Sequence, residues 1–194
     1  MHMNQTKKVP RLYNGALFPT AGDYNIDPVH SFVDFIAQHL VVGQIRGCFR
    51  QLTGNIKIAD DPALSSLDIS IDTVSISTHN ETRDEDLRSA RFLDVGKFPK
   101  MTYKSTGVIP EPRGHLTVEG ELTIRNITHP VSIDSVFTGI VDDTWGNTRA
   151  GFYGSAKISR RDFGLMTDLM VETGGLLVGK DIVINIATEL LLRG

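Results

Sequence analysis

Asp27, His30 and Ser31 place a carboxylate, an imidazole and a hydroxyl in one short stretch, the three groups acyl-transfer chemistry uses as orienting acid, base and nucleophile. Their spacing argues against that use. Neighbours on an extended strand point to opposite faces, so His30 and Ser31 cannot both aim into one site. The stretch reads instead as a turn at Asp27-Pro28 held by hydrogen bonds, with Ser31 on the same face as Val33 and Phe35. His39 makes a possible metal pair with His30, but no histidine-rich or carboxylate cluster at ligand spacing completes it, so no metal centre is expected. Gly174-Gly175-Leu176-Leu177-Val178-Gly179-Lys180-Asp181 nearly spells a P-loop, yet Asp181 replaces the magnesium-binding hydroxyl, and Ile182 to Ile186 follows as a strand where a helix N-terminus is required. Arg46, Arg50, Arg160 and Arg161 could present planar guanidinium donors to an anionic head group, or could equally be solvated surface charge. Trp145, in the turn-like Asp142 to Asn147, could pack over a strand end or anchor a partner, and packing is the expected role.

The chain of 194 residues is long enough for one domain with a sizeable core. With 20 Lys and Arg against 23 Asp and Glu, it carries no basic excess to neutralise a phosphate backbone, so nucleic acid is not an expected partner. The hydrophobic share of 40% and charged share of 22% suit a globular fold. Cys48 has no second cysteine to pair with, which excludes an intrachain disulfide and a cysteine-built metal site. No apolar signal region and no membrane-length apolar run is visible, so a cytoplasmic protein is expected.

The elements that must position these groups follow period two. In Leu116 to Ile124 the even positions are apolar or small and the odd ones polar, which makes a half-buried strand. The same alternation runs through Leu67 to Asp72, Met101 to Ile109 and Ile182 to Ile186. Further strands are read at His30 to Gln38, Ile45 to Ile58, Val131 to Val141 and Ala150 to Ser159. The exception is the charged stretch Thr78 to Phe92, read as one short helix with Thr78 and Glu81 as a capping box and an end near Arg91. Interior glycines at Gly47, Gly54, Gly107, Gly120, Gly139 and Gly154 suggest curvature. About eight curved antiparallel strands remove their edges by closing into a barrel, whose interior is either filled or holds one small ligand. The expected fold is therefore all-β.

Several segments resemble a known family. Tyr24-Asn25-Ile26-Asp27-Pro28-Val29-His30-Ser31-Phe32-Val33-Asp34-Phe35, followed by His39-Leu40, is similar to the opening motif of the YceI-like, polyisoprenoid-binding family. Leu87 to Asp94 resembles its helix motif, Phe98 to Ser105 a strand start, Leu116 to Thr128 a hairpin, and Arg161-Asp162-Phe163-Gly164-Leu165 a turn. The resemblance covers about residues 23–193. It implies a lipocalin-like extended antiparallel β-barrel with a helix against it, a hydrophobic channel, long-tailed isoprenoid or acyl amphiphiles as ligands, and a homodimer. Asp86 stands where the family's helix motif usually places histidine, and the periplasmic location common among relatives is not carried over. Residues 1–22 read as an N-terminal arm whose Leu12, Tyr13, Leu17 and Phe18 could cover a barrel end or a partner, and residues 23–194 as the barrel domain.

If the channel is apolar, alternation nominates its lining: Val33, Phe35, Ile69, Ile71, Tyr103, Leu116, Val118, Leu122, Ile124, Val131, Ile133, Phe152, Ile182, Ile184 and Ile186. The plain alternative for each is a filled core. At roughly 0.8 kcal/mol per buried CH₂, a tail of ~20 carbons gains on the order of 16 kcal/mol gross, before ordering and association costs. The expected function is a non-enzymatic binding protein for an isoprenoid, quinone-like or fatty-acyl amphiphile, with no other cofactor. The rivals are an enzyme using the same cavity and a solid-barrel interaction module. An ionisable residue deep among the inward positions would favour the enzyme, and Asp34 and Glu119 read as outward-facing.

Overall fold

The computed structural model describes residues 10–40, 42–165 and 178–193. In chain order the strands are β1 (Arg11–Tyr13), β2 (Ala16–Phe18), β3 (Gly22–Ile26), β4 (Phe32–His39), β5 (Gly43–Phe49), β6 (Leu52–Ile58), β7 (Ser66–Asp72) and β8 (Ile76–Ser77). The helix α1 (Glu81–Arg88) follows, and then β9 (Lys100–Pro110), β10 (His115–Ile124), β11 (Ile127–Asp142), β12 (Thr148–Ser159) and β13 (Val178–Leu192). No described helix is long and apolar enough to cross a membrane.

All strand pairings are antiparallel, and β12 joins β13 to close the sheet. Along its other edge β13 pairs first with β4 and then, near its C-terminal end, with β3, so these two short strands lie end to end. Their neighbours β5 and β6 do the same. Counting each end-to-end pair as one long strand gives a closed antiparallel barrel of eight strands. That is the number at which side chains either fill the interior or leave room for one ligand.

The stretch Ile45 to Ile58, read from sequence as one strand, is interrupted at Arg50-Gln51. Gly47, Cys48 and Phe49 are consecutively buried, so alternation fails there. The Ser75 hydroxyl accepts from both the Arg50 and Gln51 amides, and Gln51 O accepts from Asp72 N, holding the chain as it changes partner from β4 to β3. The last strand extends well beyond Ile182 to Ile186 on both sides.

The helix is shorter than its charged stretch and begins at a different cap. Asn80, not Thr78, is the N-cap, its side-chain oxygen accepting from Arg83 N at 2.9 Å. Thr78 instead holds the buried Asp84 carboxylate, which accepts from its amide at 2.8 Å and its hydroxyl at 2.5 Å. Arg83 completes the lock by donating to Thr78 Oγ1 and O. Helix α1 is thereby fixed beside β8 at one end of the barrel, with Leu87 on the cavity wall.

The opposite end is covered by β1 and β2. Asn14 and Gly15 both have positive φ, the geometry a two-residue hairpin turn requires. Ala16 and Phe18 are buried against the core. Arg11 ties this hairpin to the carbonyls of Pro19, Ala59 and Asp60, and Tyr13 donates to Asp61.

Candidate functional site

The barrel is hollow. A cavity of about 860 Å³ runs from Phe18, Pro19 and Pro62 at the hairpin end to α1 at the other, which excludes the solid-barrel reading. Its size lies near the upper end of the ~300–1,000 Å³ typical of small-molecule sites.

All fifteen residues nominated by alternation lie on its wall: Val33 and Phe35 on β4, Ile69 and Ile71 on β7, Tyr103 on β9, Leu116, Val118, Leu122 and Ile124 on β10, Val131 and Ile133 on β11, Phe152 on β12, and Ile182, Ile184 and Ile186 on β13. Register explains why they converge. Ile184 stands opposite both Phe35 and Ala156, Val118 opposite both Val108 and Ile133, and Tyr103 opposite both Ile69 and Leu122. Cross-strand partners share a face, so one inward residue commits its neighbours. Sequence reasoning missed Ala37, Met101 and Leu190, which further steps of the same alternation reach, and Val108, which faces inward in place of the exposed Ile109 because the bulge opposite Glu119/Gly120 shifts the parity of β9. It also missed Phe49, which the strand break hides, and Leu87 of α1.

Tyr103 is the polar member among the fifteen nominated residues. Its hydroxyl lies 3.0 Å from Val118 O and 2.9 Å from Val131 O, so one phenolic proton serves two carbonyls beside the irregular register at Glu119/Gly120. Burial pushes its pKa up to about 12. The ring ties β9 to β10 and β11 and leaves the surrounding wall apolar.

His39, Arg83 and Asp86 line the helix end together with Asn80 and Thr82, whereas Ser65, Ser66, Ser135 and Thr188 line the cavity elsewhere. Asp86 pairs with Arg91 at 3.5 Å. Arg160 also lines the cavity, but it is neither solvated nor a simple surface charge. It is buried, and its guanidinium donates to the carbonyls of Leu165, Val178 and Gly179, stapling the turn after β12 to the start of β13. Arg46, Arg50 and Arg161 are absent from the described lining. Asp34 and Glu119 are absent from it as well. Of the P-loop-like segment, residues 174–177 lie outside the described residues, and Val178 to Asp181 begin β13.

The Asp27–His30 stretch builds a different feature, an ion cluster outside the cavity. Asp27 Oδ2 accepts from His30 Nδ1 at 2.9 Å and from Arg149 Nη1. Arg149 also donates to Glu189 at 3.0 Å and, through Nε, to Asp143 at 2.7 Å. Asp27, His30 and Glu189 form a carboxylate–imidazole group that local spacing did not reveal, because Glu189 arrives from the last strand. Two of its carboxylates hold the Arg149 guanidinium, so the arrangement is an ion-pair clamp joining the β3–β4 link, the β11–β12 turn and β13. His39 takes no part. Ser31 turns the other way, bonding Thr188 Oγ1 at 2.9 Å and the Glu189 backbone. Asp143 also accepts from the amides of Trp145 and Asn147, yet Trp145 itself packs over nothing and projects into solvent.

Burial alone would raise the Asp27 carboxyl, but hydrogen bonds from His30, Arg149 and Val29 N–H outweigh it and hold the group well below the usual carboxylate range. Asp143 is likewise depressed, with Arg149 and Asn147 overcoming desolvation. Groups with lowered native pKa values stabilise the fold above their unfolded value, and that stabilisation drains away as pH falls from about 4 toward the native pKa. Wild-type melting temperature is therefore expected to drop on acidification through that window. Arg149→Leu should melt several degrees lower at pH 7, with a deficit that begins to shrink as pH falls below about 4, because protonation relieves carboxylates left without their cation. A deficit that is constant with pH would show that the clamp contributes nothing electrostatic.

An antiparallel eight-stranded barrel closed around a long apolar cavity, with a helix across one end, defines a lipocalin-like barrel. Within that class the chain belongs to the YceI-like domain family, whose model matches residues 24–190. It is 39% identical over 163 residues to a UPF0312 protein of Yersinia enterocolitica, covering 80% of this chain and 84% of the relative. It is 38% identical over 152 residues to Protein YceI of Escherichia coli O157:H7, covering 77% and 79%. Among solved structures, BcnA of Burkholderia cenocepacia superposes with a TM-score of 0.74 at 19% identity, covering 84% of this chain and 98% of that one. A polyisoprenoid binding domain from Saccharophagus degradans superposes with a TM-score of 0.68 at 13% identity, covering 90% and 100%.

Proposed function

We propose that this protein holds a long-tailed amphiphile, an isoprenoid, quinone-like or fatty-acyl compound, in its barrel for storage or carriage, without catalysing a reaction. The observation that carries the reading is the cavity itself: about 860 Å³, elongated, lined on every strand of the barrel by aliphatic and aromatic side chains, with its charged lining residues at the helix end and serine and threonine elsewhere. That distribution matches a molecule with a long apolar tail and a small polar head. The name of the Saccharophagus degradans domain, a protein of the same fold, points to the same ligand class. The reading extends to a homodimer, supported by an outer row of cross-strand neighbours, Val136, Tyr153, Ala187 and Phe32, of which Tyr153 and Phe32 are exposed.

The test is native mass spectrometry of gently purified protein, followed by organic extraction and identification of the bound species. A stoichiometric long-tailed compound on a dimer is the expected result. Protein that is repeatedly empty and takes up no quinone, prenyl alcohol or fatty amide would overturn the ligand reading, and a monomeric mass would overturn the assembly.

A further inference from the structure

The hairpin β1–β2 precedes the segment matched by the family, which begins at residue 24, and it is apolar on both faces. Ala16 and Phe18 face the core, and Phe18 and Pro19 end the cavity. On the other face Leu12 and Leu17 are direct register partners, 74% and 52% exposed. A strand pair serving only as a plug would carry polar side chains on its wet face, since alternation places residues on either face at no cost to the other.

The same end of the barrel carries three further exposed apolar groups: Leu64 between β6 and β7, Val141 at the end of β11, and Trp145 in the turn that follows it. The hairpin sits beside these elements, with Leu17 O close over Gly114 and β2 in contact with β11. Side chains projecting from several turns around a barrel end do not form a groove for a peptide. They suit insertion, one by one, into the interfacial layer of a bilayer, where tryptophan is especially favoured. The exposed charges described at this end lean modestly acidic, with Asp23, Asp60, Asp61, Glu111 and Asp142 against Lys57, Arg113 and Arg193. Anionic lipid would be repelled.

We propose that the hairpin end of the barrel docks on a zwitterionic lipid surface through Leu12, Leu17, Leu64, Val141 and Trp145. Its purpose, though not its geometry, rests on the lipid-carrier reading: the apolar tail would then meet the bilayer at the end where Phe18 and Pro19 close the cavity.

The experiment is flotation of the full chain with phosphatidylcholine vesicles, and with the same vesicles doped with phosphatidylglycerol at low salt. Wild type should float with phosphatidylcholine, and less so with the doped vesicles. Trp145→Ser should lower partitioning by about tenfold, the value of one apolar side chain withdrawn from water, and Leu12→Gln/Leu17→Gln by about a hundredfold, both with unchanged melting temperature. Wild type that never floats, variants that float as wild type does, or stronger flotation on the doped vesicles would overturn the proposal. A dimer lost in the Leu12/Leu17 variant, without flotation of either protein, would assign the face to a second copy instead. Loading of a fluorescent C16 amide from detergent micelles, measured in parallel, separates the two readings. Protein that floats but never loads keeps the docking surface and defeats the carrier, and protein that loads but never floats does the reverse.

Discussion

On the proposed carrier reading, Ala156→Trp should weaken binding of a long-tailed ligand about 100-fold while leaving the barrel folded. Ala156 lies on the cavity wall, opposite Ile184 of β13, which in turn faces Phe35 of β4. An indole placed there enters open space, so the overpacking penalty that normally follows enlargement of a buried residue is small. A tail threaded along the channel has no such freedom and must give up the burial of several methylenes. Losing four of them, at roughly 0.8 kcal/mol each, lowers affinity by about 100-fold or more. Titration of the compound recovered from wild type should show that loss, with a melting temperature within a few degrees of wild type. Unchanged affinity would mean that the tail does not pass this point.

The largest expected effect on stability is at Gly120. A Cβ built there would meet Tyr103 Cζ at 2.5 Å, Tyr103 Oη at 2.6 Å and the backbone oxygen of Lys104 at 2.7 Å. The last of these is main chain of the adjacent strand and cannot step aside. Moving the ring would strip Val118 O and Val131 O of their shared donor. Gly120→Ala should therefore cost about 3 kcal/mol or more, combining overpacking with lost buried hydrogen bonding. For a chain of this length that lowers the melting temperature by roughly 6–12 °C. Tyr103→Phe alone removes only the hydroxyl and should cost about 1–2 kcal/mol, which calorimetry on the two variants can separate. Equal losses would show that the hydroxyl, not the packing over glycine, sets the requirement at this site.

The inward positions were legible because the period of a strand is a local property. In Leu116 to Ile124, choosing a face for one residue chooses it for all, and the fifteen nominated residues do share the cavity wall. The glycine at position 120 was equally visible as a departure from apolar filling, although its partner, Tyr103, was not. The helix stretch was legible in its charge but not in its cap. Thr78 and Asn80 are both able to cap, and contact with the buried Asp84 carboxylate engages Thr78.

Alternation determined an all-β chain and the residues on each face, and the motifs between Tyr24 and Leu165 carried the resemblance to one family; all of these depend only on the order of side chains along the chain. Tertiary structure alone decided the rest. Whether the interior is hollow depends on how eight tilted strands close and how their inward volumes add, which no segment contains. The clamp joins Asp27 to Arg149 and Glu189, residues that no local spacing relates. The strand break at Arg50-Gln51 marks where one strand changes neighbours, and Trp145 is left exposed because its turn extends past the barrel wall instead of folding back on it. Such features depend on which strands lie side by side, and that is set by closure of the whole sheet.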